Sequence, residues 1–300
     1  MKGVAPVREE AVLFGSENSL VGVITDPVDA SLGRTPPAFI FLNAGVTHHV
    51  GPNRLYVRLA RALASQGFVA MRFDFSGLGD SSVRMDDLPV VQSVVDETRQ
   101  AMDFLKSRRG TERFVLIGIC SGATVSYMVA KEDRRVVGAA ILNAQGHLHG
   151  TDPVRTAQLR DRTMARHSWR IALKSSFRSK NWRKAVQGQL NPLRILKMMV
   201  SIPLRVFLGR RGSADSDLAG DAAKDLRALA KRGVRLYHLY CEGDEGLDYF
   251  HLVLGAEADR IARGDGAEFE IILGSNHMFT LQWSQDHLEK SVCDWARSLP

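Results

Sequence analysis

Phe114-Val115-Leu116-Ile117-Gly118-Ile119-Cys120-Ser121-Gly122-Ala123 opens as an uninterrupted apolar run, breaks at Gly-x-Cys-x-Gly, and continues into residues of helical character. An apolar run without polar alternation marks a strand buried on both faces. A strand that turns sharply into a helix forces its central residue toward disfavoured backbone angles. The flanking glycines are then required, because a Cβ at either position would strike the neighbouring strand or helix. Cys120 is thereby expected at the carboxyl edge of a sheet and at a helix N-terminus, whose partial positive charge suits an anion. The pattern is that of a nucleophile elbow with sulfur in place of the usual hydroxyl.

Strands and helices alternate outward from this run. Upstream, Pro37 to Asn43 and Phe68 to Phe75 read as strands, Arg54 to Gln66 as a helix through Leu55, Val57, Leu59, Ala60 and Leu63, and Leu88 to Lys106 as a second helix. Two short alternating stretches, Ala11 to Phe14 and Leu20 to Thr25, precede them. Downstream, Ala123 to Val129 is helical and Val136 to Asn143 is a strand. This βαβ rhythm predicts an α/β fold, a doubly wound and mainly parallel sheet with helices on both faces. Ligands bind such sheets at the carboxyl ends of the strands.

The rhythm lapses over Gly146 to Met199, a polar, basic and helix-prone interval read as a helical cap inserted over the strand ends, with a core of 1–145 and 200–300. Ile202 to Leu208 looks like a strand at the point where the cap should end. The core then resumes with helix Leu218 to Lys231, strand Val234 to Tyr240, helix Leu247 to Arg263, strand Phe269 to Leu273 and helix Leu281 to Arg297.

Composition bounds the function. The 300 residues are 45% hydrophobic and carry no low-complexity tract, which excludes a disordered or fibrous chain. With Cys120, Cys241 and Cys293 far apart, a disulfide framework and a C-x-x-C site are both unexpected, and Cys241 and Cys293 read as packing residues. No signal-peptide-length apolar core opens the chain and no long uncharged apolar segment follows, so a cytoplasmic protein without a membrane span is expected. No P-loop, no dinucleotide fingerprint and no metal-ligand spacing stands out, so neither a cofactor nor a metal is expected. The formal net charge of +7 invites an anionic partner without pointing to nucleic acid.

A nucleophile at an elbow needs a base, and the base an anion that fixes its tautomer. Of the nine histidines, His277 alone directly follows a late strand, in Ile271-Ile272-Leu273-Gly274-Ser275-Asn276-His277. For the acid, Asp244 closes the strand ending at Cys241, one helix and one strand before His277. Asp248 and Asp215 are its rivals. An oxyanion formed at such a site would be met by the Ser121 N–H and by that of Val46, in the Asn43-Ala44-Gly45-Val46 loop. Asn43 and His48 are candidates to line the site. So are Trp169 and Trp182, which are interleaved with Arg155, Arg160, Arg162, Arg166, Arg170, Lys174, Arg178, Lys180, Arg183 and Lys184.

Taken with Arg72-Phe73-Asp74-Phe75-Ser76-Gly77-Leu78-Gly79-Asp80-Ser81, these motifs give the chain a resemblance to the α/β-hydrolase superfamily over nearly its whole length, in its esterase and serine-peptidase-like branch. Cysteine at the elbow resembles dienelactone hydrolases and thiol-dependent acyl-transfer enzymes, although the cap and the oxyanion loop differ from the former. The resemblance implies a Cys120, Asp244, His277 triad working through an acyl-Cys120 intermediate on an ester or thioester. Hydrolase, thioesterase and acyltransferase or chain-releasing chemistry all stay open. A catalytically silent ligand-binding protein on the same scaffold is the contrasting reading. The basic interval is the expected docking face for an acidic acyl-carrier protein, if that is the donor.

Overall fold

The computed structural model describes residues 7–28, 36–145, 213–254, 258, 260 and 267–300, and of 213–220 the backbone alone. Eight strands form one sheet in the order β1-β2-β4-β3-β5-β6-β7-β8, with β1 at Val7–Phe14, β2 at Leu20–Pro27, β3 at Ala38–Leu42, β4 at Ala70–Phe73, β5 at Phe114–Ile119, β6 at Val136–Leu142, β7 at Arg235–Cys241 and β8 at Glu268–Ile272. β1 and β2 pair antiparallel as a hairpin, β2 pairs antiparallel with β4, and every other pairing is parallel. Between the strands lie α1 (Leu55–Ala64), α2 (Val90–Arg109), α3 (Ser121–Glu132), α4 (Ser213–Lys231) and α5 (Glu245–Leu254), and α6 (Gln282–Arg297) closes the chain.

Period-two alternation in the central strands sorts their side chains to two cores. Phe39 and Phe41 of β3 and Val115, Ile117 and Ile119 of β5 pack with Leu55, Leu59 and Leu63 of α1 and Leu288, Val292 and Trp295 of α6. Ile40, Leu42, Phe114 and Leu116 face the other way, onto Met102 and Leu105 of α2, Val129 of α3, Leu226 and Leu229 of α4 and Phe250 of α5. Both faces of the central sheet are therefore buried, as the unalternated apolar runs require.

The hairpin at the sheet margin is tied to the helices by ion pairs. Glu9 of β1 pairs with Arg61 and, at 2.7 Å, with Arg72. Glu10 pairs with Arg108 and Arg109, each at 2.7 Å, and Asp26 of β2 meets Arg109 at 2.8 Å. At the opposite margin, Glu268 of β8 pairs with Arg235 at 3.1 Å, and Glu270 with His287 at 2.5 Å.

Several boundaries differ from the sequence reading. The helix after the elbow starts at Ser121 rather than Ala123, because the turn is completed within Cys120 itself. The helix expected from Leu218 already runs from Ser213, so Asp215 lies in a helical backbone and not in a loop behind a strand. Acidic residues near a helix start favour that extension through the dipole. The interval 146–199 and Ile202 to Leu208 lie outside the described residues. Among the described residues, no helix is long and apolar enough to cross a membrane.

Candidate active site

Cys120 stands between β5 and α3 with φ 57° and ψ −117°, a backbone conformation that side-chain-bearing residues rarely adopt. What holds it there is close packing around two glycines. A Cβ on Gly118 would lie 2.0 Å from the carbonyl carbon of Gly122, and one on Gly122 would lie 2.5 Å from the Leu42 carbonyl oxygen. Cys120 N–H donates to Leu142 O at 3.0 Å. The buried hydroxyl of Tyr56 adds a brace for which no local sequence pattern is a cue. It donates to Leu42 O at 2.9 Å and accepts from Ile119 N–H at 3.0 Å, tying β3 to the residue before Cys120. Burial raises the Tyr56 phenol above its ordinary range, so it stays protonated and able to donate.

His277, in the loop after β8, directs Nδ1 to Asp244 Oδ2 at 2.6 Å. Asp244 lies in the turn between β7 and α5, its side chain only 2% exposed, and its other oxygen accepts the Gly246 N–H at 2.8 Å. The hydrogen bond that His277 donates to Asp244, then the interaction with Cys120, raises His277 from 6.5 to about 10 against the opposing effect of burial. Of the acid candidates it is thus Asp244 that meets the imidazole. Asp248 is buried within the first turn of α5 instead. The histidine loop has a strut of its own in Asn143, at φ 46° just past β6. Asn143 donates to His277 O at 2.8 Å and accepts from Cys241 N–H at 2.7 Å.

In the loop after β3, Gly45 N–H, which the sequence did not single out, donates to Ser121 Oγ at 2.7 Å and clips the loop to the elbow. Val46, the residue expected to supply the loop's N–H, is 87% exposed at the loop tip beside it. Asn43 does not line an open site. Its side chain is buried, donating to Thr47 O and Asp74 Oδ1, both at 2.8 Å, and accepting from Phe75 N–H at 3.0 Å, so it holds the loop in shape. A polar residue ending a strand reads equally as lining or as brace until the partners across the sheet are known. Trp169, Trp182 and the basic run lie outside the described residues.

The same loops bring together four groups that sequence spacing did not connect, because they come from two separate strand ends. His49 Nδ1 donates to Asp74 Oδ2 at 2.7 Å, and His48 Nε2 meets Asp80 Oδ2 at 3.0 Å and Asp74 Oδ2 at 3.4 Å. Burial would raise Asp74, but His49 and Asn43 more than offset it and hold the carboxyl below its ordinary range. Burial pushes the other two thiols up, Cys293 to about 11, in keeping with packing roles for Cys241 and Cys293.

The profile of the Hydrolase_4 family, described as serine aminopeptidase, S33, matches residues 34–208, more than half of the 300-residue chain. No curated protein sequence matches the chain. Among solved structures, an esterase of Pyrococcus furiosus is similar at a TM-score of 0.54 and 13% identity, over 98% of this chain and 91% of its own. A proline iminopeptidase of Mycobacterium smegmatis gives 0.55 and 18%, over 97% and 98%. A dienelactone hydrolase of Anabaena variabilis gives 0.54 and 12%, over 98% of each chain.

Proposed function

The chain belongs to the Hydrolase_4 family of α/β-hydrolases, and from that premise we propose that it cleaves esters or thioesters through an acyl-enzyme on Cys120. The observation that carries this reading is the contact series at the sheet's carboxyl edge. A strained elbow residue bears the sulfur, the Cys120 side chain contributes to the raised proton affinity of His277, and Asp244 is 2.6 Å from Nδ1 of that imidazole.

With its proton affinity raised, His277 is suited to take the sulfur's proton and hold it as the imidazolium. The sulfur attacks the acyl carbonyl carbon, and the electron pair moves to the carbonyl oxygen. There the Ser121 N–H and the loop N–H of Val46 stabilise it. Collapse expels the alkoxide or thiolate, which takes the His277 proton and leaves the acyl group on Sγ. His277, now neutral, takes a proton from water as the water attacks the thioester. The carboxylic acid departs and the sulfur–imidazolium pair is restored. Asp244 keeps the ring proton on Nδ1 throughout, so that Nε2 serves the reaction.

Incubation with an acyl thioester or an activated ester, followed by intact-mass measurement, tests the reading. One acyl group is expected on the parent and none on Cys120→Ala. A parent protein that gains no mass and shows no turnover overturns it.

The sulfur favours a second reading for the acceptor. A thioester intermediate is less resonance-stabilised than an oxygen ester and is attacked readily by amines and thiols, so transfer competes with hydrolysis. The positive charge of the sequence through Arg178, Arg183 and Lys184 would attract an anionic donor, an acidic acyl carrier among them. Charge reversal at these three positions is expected to raise KM for an anionic thioester and to leave small neutral esters unaffected.

A further inference from the structure

We propose that His48, His49, Asp74 and Asp80 form a binding site for a divalent transition metal, with zinc the best match. The ligating atoms of these four side chains lie within 4.8 Å of one another. They come from two loops, His48 and His49 from the segment after β3 and Asp74 and Asp80 from the segment after β4. A tetrahedral zinc shell with nitrogen and oxygen ligands separates neighbouring ligand atoms by about 3.3 Å. The three contacts His48 Nε2 to Asp80 Oδ2, His48 Nε2 to Asp74 Oδ2 and His49 Nδ1 to Asp74 Oδ2 measure 3.0, 3.4 and 2.7 Å, so each of these three is within a sub-ångström adjustment of that spacing. Two carboxylates and two neutral imidazoles carry the charge that a dication neutralises, and a mixed imidazole and carboxylate set is one that zinc accepts.

The surroundings are built for this approach. A Cβ on Gly79 would fall 2.1 Å from Asp74 Oδ2 and 2.6 Å from His48 Cδ2, so the glycine is what lets the two ligands converge. Asp74 is oriented by the Asn43 side chain and by the His49 backbone N–H at 2.6 Å. Such outer hydrogen bonds fix a ligating carboxylate. The inner pair is buried, while His48 and Asp80 are 35% and 65% exposed by side chain, which leaves an entry path from solvent. Metal binding would replace the ring protons that now bridge the cluster. In His48 the proton passes from Nε2 to Nδ1, at the expense of the long 3.4 Å contact from Val50 N–H, and in His49 it passes from Nδ1 to Nε2. No proton is released when both rings start neutral. An occupied site would clamp the loop carrying Gly45 and Val46 to the loop after β4. Zinc binding at these four side chains does not require Cys120 to react.

The test is calorimetric titration of zinc chloride into the full chain bearing Cys120→Ala, which removes the sulfur beside His277 as a competing ligand. One zinc per chain is expected, in the micromolar range or tighter. His48→Ala and Asp80→Asn, both at the exposed side of the cluster, are each expected to weaken it at least about tenfold. Zinc is also expected to raise the melting temperature of the parent but not of His48→Ala. Absence of saturable binding, or a titration unchanged by both substitutions, overturns the proposal.

Discussion

Replacing the Cys120 sulfur with the oxygen of serine puts a smaller, far less acidic group where the proposed reaction needs its nucleophile. Cys120→Ser is expected to fold, with a melting curve like that of the parent, and to turn over esters much more slowly. Equal activity would mean that the site does not depend on sulfur. Asp244 allows a sharper comparison because its rival sits one helical turn away. Asp244→Asn removes the carboxylate 2.6 Å from the imidazole and is expected to lower kcat/KM by roughly four orders of magnitude. Asp248→Asn, within α5, is expected to leave the chemistry largely intact. Steady-state kinetics on one activated ester decides between them.

At the scale of elements, the elbow is a joint between β3, β5 and α3, and Tyr56 of α1 is its pin. Tyr56→Phe leaves Leu42 O and Ile119 N–H without their buried partner. This should destabilise the fold by about 1–3 kcal/mol in urea unfolding without removing any group from the reacting atoms. The elements themselves were legible wherever the pattern was local. The apolar runs of β3 and β5 and the spacing of Leu55, Leu59 and Leu63 announced strands and a helix, and Gly-x-Cys-x-Gly announced the turn. His277 and Asp244 were legible from their places behind late strands, since topology alone carries both loops to one edge. The partnerships that cross the sheet were not. Asn43 with Asp74, Gly45 with Ser121, Asn143 with His277 and the His48, His49, Asp74, Asp80 cluster join residues from different strand ends. Nothing in one chain segment encodes the distance to another.

For the molecule as a whole, the His277 and Asp244 pair links stability to pH. A histidine raised from 6.5 to about 10 on folding contributes stability that is fully present below pH 6.5 and lost as pH rises through about 10. The stability difference between the parent and Asp244→Asn should therefore be largest in mild acid and should shrink across that window, as denaturant unfolding at a series of pH values would show. The carboxylates at the sheet margins respond in the opposite direction. Burial raises Glu9, but Arg61 and Arg72 outweigh it and the group is lowered overall, while Arg109 and Arg108 lower Glu10. Their contributions are present above 4.5 and lost as pH falls through the lowered values. These pairs sit on the outermost strands, where an unsatisfied row of N–H and C=O groups would otherwise template pairing with another copy of the chain. Bulky, charged side chains latched across β1, with Glu268 and Glu270 similarly engaged on β8, make each rim a poor seam for recruitment. Acid that unlatches Glu9 and Glu10 is thus expected to bare a sticky border along β1 and to promote association between copies of the chain.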